Sequence, residues 1–335
     1  MKVIVTGATG GLGRNLVEFL LKKECEVIAF GRNTEIGNQL KTKFKSFDLS
    51  SEDETIRNFE KVDVVFHCAA LSSPWGKYED FYSSNVKSTK NILKAMKNYN
   101  CKKIVYVSSP SIYFDFNEKL NIKEDYTPKE FFNDYTKTKY MSEKLILKEN
   151  EDRIKSVIIR PRAIFGEYDN VLMPRLEKIA KKGYLPLIKP HKEKEVVIDV
   201  TYVGNVVHSL YLSAIKDVPN KSIFNITNDE PTEISLLLSN ILGSIELNPK
   251  KINLNFRLMV LISTLLEKTY KILNLKGEPF ITKYGIGVIS LSQTLNIDSA
   301  KNILGYEPIY TIEEGIKRYS KWRLNSNIEN KENDE

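Results

Sequence analysis

Val3-Ile4-Val5-Thr6-Gly7-Ala8-Thr9-Gly10-Gly11-Leu12-Gly13-Arg14 is the stretch that decides how the rest of the chain is read. A β-branched run leads into glycines at 7, 10 and 13, after which Leu16, Val17, Phe19 and Leu20 recur at helical spacing. The order is strand, tight turn, helix N-terminus. Such a turn needs glycine where φ is positive, and a pyrophosphate can approach the backbone only where no Cβ intervenes. First-turn N–H groups and the helix dipole then hold the anion. The expected ligand is a dinucleotide held by Gly7, Thr9, Gly10, Gly11, Leu12 and Gly13, against the alternative of an ordinary glycine-rich turn.

Outward from this turn, composition sets the bounds. The chain has 335 residues and 41% hydrophobic content, more than one compact core usually holds, so a large domain with a smaller lobe is expected. Cys25, Cys68 and Cys101 lie in or beside apolar segments without metal-ligand spacing, and His67, His191 and His208 are too scattered for a metal site. No metal is expected, and the cysteine usage fits a reducing, cytoplasmic compartment. The first residues already form a strand, so no signal peptide is expected, and no apolar run is long enough to span a bilayer. The net charge of +7 comes from Lys interleaved with Glu and Asp, which describes a solvated surface and not a nucleic-acid face.

Strands and helices then alternate. Glu26 to Phe30 reads as a second strand whose exit turn, Gly31-Arg32-Asn33, carries no acidic residue to accept bonds from ribose hydroxyls. Arg32 suits a 2′-phosphate instead, so NADP(H) is favoured and NAD(H) stays open, with Arg32 stacking on adenine as the alternative. Phe44 to Phe47 is a third strand, followed by Asp48 and Leu49 at the expected adenine edge. Val62 to Phe66 is a fourth, running into His67-Cys68-Ala69-Ala70, where Ala69 and Ala70 let the backbone lie close to the second ribose; His67 reads as a packed strand end. Tyr78 to Tyr99 has helical spacing and Ile104 to Val107 is a fifth strand. The near-continuous apolar strands argue a doubly wound α/β fold, a parallel sheet covered on both faces with ligands at its carboxyl ends.

Two polar clusters fall at those ends. Ser108-Ser109-Pro110-Ser111-Ile112-Tyr113 leaves the fifth strand, and Tyr135-Thr136-Lys137-Thr138-Lys139 begins a helix. Residues four apart share a helix face, so Tyr135 and Lys139 can enter one cleft. An isolated phenol ionises near pH 10, and a neighbouring ammonium favours the phenolate. Tyr135 would protonate a carbonyl oxygen held by Ser109 while hydride reaches its carbon. Tyr99 with Lys103 and Tyr140 with Lys144 share the spacing, but only Tyr135 starts its helix just beyond a Ser-rich strand exit.

Thr6-Gly-x-x-Gly-x-x-Gly13, Asp48-Leu49, Ala69-Ala70, Asn85, Ser108-Ser109, Tyr135-x-x-x-Lys139 with Glu143, and Arg160-Pro161 occur in the order of the extended short-chain dehydrogenases/reductases. Ser108 to Phe114, Arg160 to Gly166, Asp199 to Val203, Asn225 to Asn228 and Leu304 to Pro308 most resemble the 3β-hydroxysteroid dehydrogenase-like branch of this epimerase/dehydratase superfamily, and within it they are similar to the bacterial 2-alkyl-3-oxoalkanoate reductases. The resemblance implies NAD(P)-dependent interconversion of a ketone and a secondary alcohol on a hydrophobic, 3-oxoacyl or sterol-like substrate. It puts Ser109, Tyr135 and Lys139 at the catalytic positions, Lys139 also on the nicotinamide ribose, and Pro161 beside the cofactor. It also implies a homodimer paired through 78–99 and 134–149. Gly204-Asn205 follows Tyr202-Val203 where relatives usually carry an acidic residue, which puts a local contact in doubt. A nucleotide-sugar epimerase or dehydratase is the alternative enzyme, and a non-catalytic dinucleotide sensor the alternative of another class.

The dinucleotide core is expected over 1–165, completed by about 195–230, with a mixed substrate lobe from 166–194 and 231–324. Ile158 to Pro161 closes a sixth strand, and Val196 to Val200 and Ile223 to Ile226 are further strands around a helix over Tyr202 to Ile215. Ser111, Arg162 and Arg175 are candidate substrate contacts, the arginines for an anionic group such as a carboxylate. A helix led in by Pro231 with Thr232 near its cap is expected through Leu242. Residues 255–275 read as a helix apolar on nearly every face, hence buried lobe core, ahead of a lid over a greasy substrate and, least favoured, a membrane-surface anchor. Phe280 to Leu295 has strand character, Ala300 to Leu304 and Ile312 to Trp322 read as closing helices, and 325–335 as a disordered polar tail.

Overall fold

In the computed structural model, which describes residues 1–149, 154–189 and 194–332, alternate side chains of each central strand enter two separate cores. Val3 and Val5 join one with Val105, Val107, Val157 and Ile159; Ile4 joins the other with Val65, Ile104, Tyr106 and Ile158. This two-sided burial is why these strands are Val- and Ile-rich without polar alternation. Burial at both faces leaves the strand ends as the only open edge for chemistry.

The sheet has seven strands: β1 (Lys2–Thr6), β2 (Glu26–Gly31), β3 (Lys43–Ser46), β4 (Val64–His67), β5 (Lys103–Val107) and two later ones, Lys155–Pro161 and Ser222–Ile226. Their spatial order is Ser222–Ile226, Lys155–Pro161, β5, β4, β1, β2, β3, with every pairing parallel. Direction of winding reverses between β1 and β4, where Thr6 stands opposite His67. That switch point is where a crevice opens in such sheets. A smaller four-stranded mixed sheet runs Thr232–Glu233, Val197–Ile198, Gln293–Leu295, Lys119–Ile122, and a parallel pair joins Tyr184–Lys189 to Lys250–Asn255.

Several expectations are corrected here. The Phe256–Ile272 helix forms, but only Met259 and Ser263 on it are buried, while Leu258, Leu261, Ile262 and Leu265 face outward. It is not lobe core: one face packs on Ile188 and Ile286, and nothing among the described residues covers the other. The stretch from Phe280 that reads as strand holds a helix, Lys283–Ser290, before the short strand Gln293–Leu295. Thr282 caps that helix through the Gly285 N–H, and a Cβ at Gly287 would come within 2.4 Å of Phe114, so glycine there lets the helix close on an aromatic cluster. Thr232 is not a cap; it pairs in the small sheet and the next helix starts at Ile234 with no side-chain cap. The last helix runs Ile312–Glu332, so the tail is helical up to that point. His191 and residues 333–335 lie outside the described residues.

Candidate active site

At the end of β1 the chain turns through Gly7, with φ +67°, where an added Cβ would sit 2.8 Å from the Ala69 backbone. A Cβ on Gly13 would lie 2.1 Å from the Gly7 carbonyl oxygen, so the turn and the α1 helix (Gly11–Lys22) meet only because both positions are bare. At Gly10 the nearest atom is the Gly7 carbonyl at 3.3 Å, and no side chain caps α1. Its first amides are therefore free for an anion, whereas the Asp134–Lys148 helix has its N-terminus closed by an Asn133–Thr136 capping box. These features fit a dinucleotide pyrophosphate. The backbone of Tyr168 comes against Gly11, and Arg14 lies over the Tyr168 ring at 3.9 Å, so the segment after Gly166 forms one wall of the turn. Sequence reasoning missed this wall because nothing in its local pattern signals the contact.

Around the turn, the Thr6 hydroxyl accepts the Ala69 N–H at 3.1 Å and meets His67 Nδ1 at 2.7 Å, while His67 Nε2 meets Thr89 at 3.0 Å. Burial lowers His67 to about 3, so it is a neutral strut at the end of β4. Leu49 is buried; Asp48 is exposed, its carboxylate accepting the Ser50 N–H at 2.8 Å. Arg32 is exposed beyond β2. Ala70 is exposed and Pro161 ends its strand opposite Ile226.

The capping box starts the next helix with Tyr135 in its first turn, half-buried against Phe81 at 6.3 Å. One turn on, Lys139 is fully enclosed. Its Nζ donates to the Val107 carbonyl at 2.7 Å and lies 4.2 Å from the Tyr106 ring centre, and burial lowers it to about 7. Ser109, leaving β5, accepts the Ser111 N–H at 3.2 Å. The helix bearing Tyr135 packs on the Pro110–Tyr113 turn that follows, so both polar clusters lie at the same end of the sheet. The other Tyr-x-x-x-Lys pairs are occupied elsewhere: the Tyr99 hydroxyl donates to the Ile56 carbonyl, Lys103 to Ala214, and Lys144 lies over the Tyr140 ring.

Beyond Tyr135 the structure adds a residue that sequence reasoning did not single out. Tyr284, on the helix mistaken for a strand, packs edge-on to Phe114 at 5.1 Å and against Phe132 at 5.9 Å. Burial pushes its phenol up to about 12, with Arg162 pulling it back and Tyr135 pushing it further, which places the three groups in one electrostatic neighbourhood. Ser111 is buried there with its hydroxyl toward the Tyr284 phenol, whose pKa it helps to hold down. Arg162 is only 5% exposed, its Nε has no partner, and among the described residues it forms no ion pair, the buried Asp199 being the carboxylate that acts on it from a distance. Burial lowers Arg162 and raises Asp199 to about 6; Asp199 accepts the Leu295 N–H. Arg175 is different: it forms a two-pronged pair with Glu278 at 3.1 and 2.8 Å on the surface, which satisfies its charge away from this cluster.

A family profile described as the 3-beta hydroxysteroid dehydrogenase/isomerase family matches residues 4–256. The chain belongs to this family. It is thus an NAD(P)-dependent oxidoreductase of the extended short-chain dehydrogenase/reductase type, acting between alcohols and carbonyls. It is 32% identical over 332 residues to the YbjS protein of Escherichia coli K12, covering 96% of this chain and 97% of that protein. It is 30% identical over 330 residues to the 2-alkyl-3-oxoalkanoate reductase of Shewanella oneidensis, covering 94% and 84%. Among solved structures, UDP-glucuronic acid 4-epimerase from Bacillus cereus, in complex with NAD, superposes with a TM-score of 0.73 at 20% identity over 97% of this chain and 99% of that one, a likeness of fold.

For a member of this family, the site rests on a buried brace. Arg160 binds both oxygens of Glu143 at 2.9 and 2.6 Å, reaches the Glu124 carbonyl at 2.8 Å and donates to the Tyr113 hydroxyl, which itself donates to Asn225 at 2.8 Å. Five segments around Tyr135 and Ser109 are thereby locked together. Asn205 is equally committed: its amide donates to Asn228 and the Tyr310 carbonyl while its oxygen accepts from Ile309 and Tyr310, a donor–acceptor pattern a carboxylate could not supply.

Proposed function

We propose that the protein is an NADP(H)-dependent reductase of hydrophobic 3-oxo acids, converting the ketone to the 3-hydroxy acid with the carboxylate retained. The observation that carries this reading is Arg162, a buried guanidinium that makes no ion pair among the described residues and lies near the Tyr284 phenol and its aromatic wall. A buried charge is costly unless paired, so the pocket favours a ligand that brings an anion. A 3-oxo acid presents its carboxylate two carbons from the ketone, close enough for both to be held in one pocket. The walls of Phe114, Phe132 and Tyr284 would take its alkyl part.

Bound nicotinamide supplies the hydride. Tyr135 delivers the proton that turns the developing alkoxide into an alcohol, and Ser109 steadies the oxygen by hydrogen bond. Lys139, anchored on Val107, keeps a positive charge one helical turn from Tyr135 at pH below about 7 and has donors left for a ribose hydroxyl. Arg162 fixes the carboxylate, which orients the ketone and stabilises the ionised acid. The exposed Arg32 would pair with a 2′-phosphate, which supports NADP(H).

Absorbance of NADPH and NADH followed with 3-oxo acids, 3-ketosteroids and UDP-sugars tests this reading. Consumption of NADPH with the 3-oxo acids alone is expected; turnover of UDP-sugars instead would replace it.

A further inference from the structure

Leu258, Leu261, Leu265 and Ile272 follow one another at three- to seven-residue steps along the outward face of the Phe256–Ile272 helix, and the stripe continues into Leu273 and Phe280. Leu261 is 56% exposed, Ile272 80% and Phe280 81%. Scattered surface leucines need no explanation, but a contiguous stripe does. Charge around it is one-sided. Between 250 and 280 the sequence has Lys250, Lys251, Arg257, Lys268, Lys271 and Lys276 against two acids, Glu278, which is paired with Arg175, and Glu267. Glu267 is turned to the protein, accepting the Lys283 N–H at 2.7 Å. The chain as a whole has 50 bases to 43 acids, so this balance is local. Trp75 packs edge-on to Tyr270 at 6.3 Å beside the same helix, with Lys271 over its ring.

We propose that this face docks the protein flat on an anionic lipid bilayer. Apolar side chains backed by lysines, with aromatic rings alongside, match the boundary between acyl chains and negative headgroups. The helix lies on the bilayer and does not cross it: Met259 and Val260 on its inner face pack with Ile188 and Ile286, and no described helix is long and apolar enough to span a membrane. The docked face also leads inward. Phe256 stacks on Phe116 at 6.1 Å, Phe116 on Phe132 at 5.6 Å, and Phe132 meets Tyr284 beside Tyr135. An acyl chain leaving the bilayer would thus meet an unbroken aromatic route to the catalytic phenol. The surface proposal stands apart from the reductase reading, since its test involves no substrate.

The experiment is flotation of the full-length protein with vesicles of phosphatidylcholine, with and without phosphatidylglycerol, alongside sedimentation to follow self-association. The wild type is expected to float with the anionic vesicles and to lose binding as salt rises. Leu261→Glu with Leu265→Glu should lower partitioning at least about tenfold. Lys268→Ala with Lys276→Ala should lower it about fivefold per charge removed. Unchanged cofactor affinity shows that each variant is folded. Failure of the wild type to bind anionic vesicles, or equal binding by the leucine variant, overturns the proposal. So does a wild-type oligomer that the leucine variant dissociates, because a second copy would then cover this face.

Discussion

The central sheet and the Phe256–Ser290 region are built from similar proportions of Leu, Ile and Val and use them in opposite ways. In the sheet, Val3, Ile4 and Val5 are wholly buried, each strand serving two cores at once. In the outer region, Leu258, Leu261 and Leu265 stand in solvent while Gly287 and Thr282 make the tight contacts. Apolar composition reports what a segment avoids and not what it touches. In the sheet the thing touched is the protein itself; on the outer helix the described residues leave one face bare.

The comparison can be broken most severely at the brace behind the site. Arg160→Leu leaves the Glu143 carboxylate buried alone and should cost about 3–5 kcal/mol in urea unfolding; a loss under about 1 kcal/mol would show that the sheet's carboxyl edge is not held by this pair. Tyr135→Phe should slow turnover by about 10²-fold or more with cofactor affinity near normal. An unaffected rate would remove the proton-donor assignment.

Lys139 sharpens the contrast through pH. Since burial lowers it to about 7 from 10.5, the unfolded chain holds a proton that the native chain lacks between those values. Stability therefore rises with pH across that window, and below about 7 the ammonium is buried at full cost. Lys139→Met should stabilise the cofactor-free protein most below pH 7, on the order of 3 kcal/mol, with the gain shrinking toward pH 10. Thermal denaturation across pH would show this, and a gain independent of pH would contradict it. The smallest effect is expected outside: Leu261→Ser should move stability by less than about 0.5 kcal/mol, against about 2–5 kcal/mol for Ile158→Ala in the sheet. Equal losses would mean the outer helix is core after all.

Legibility followed the same division. The glycine turn was readable because its steric demands are local: Gly7 must adopt positive φ and Gly13 must lack a Cβ. Choosing Tyr135 among three Tyr-x-x-x-Lys pairs needed only the order of elements, and the structure ties Tyr99 and Lys103 to Ile56 and Ala214. Tyr284 was invisible because Ile281, Ile286, Val288 and Ile289 mimic a strand, and only packing against Phe114 makes the segment helical. For the Phe256–Ile272 helix, the apolar pattern is the same whether the far side meets protein or lipid. Arg162 and Arg175 were indistinguishable as residue types; the Glu278 carboxylate separates them, leaving one charge satisfied at the surface and one buried without an ion pair among the described residues.

Arg162, buried without an ion pair among the described residues, carries the substrate assignment. NADPH consumption should be compared for a 3-oxo acid and its methyl ester, using wild type and Arg162→Met. Wild type should prefer the free acid, and the variant should lose that preference, with KM for the acid rising about tenfold or more and the ester little changed. An undiminished preference for the acid in Arg162→Met would contradict the assignment of this pocket.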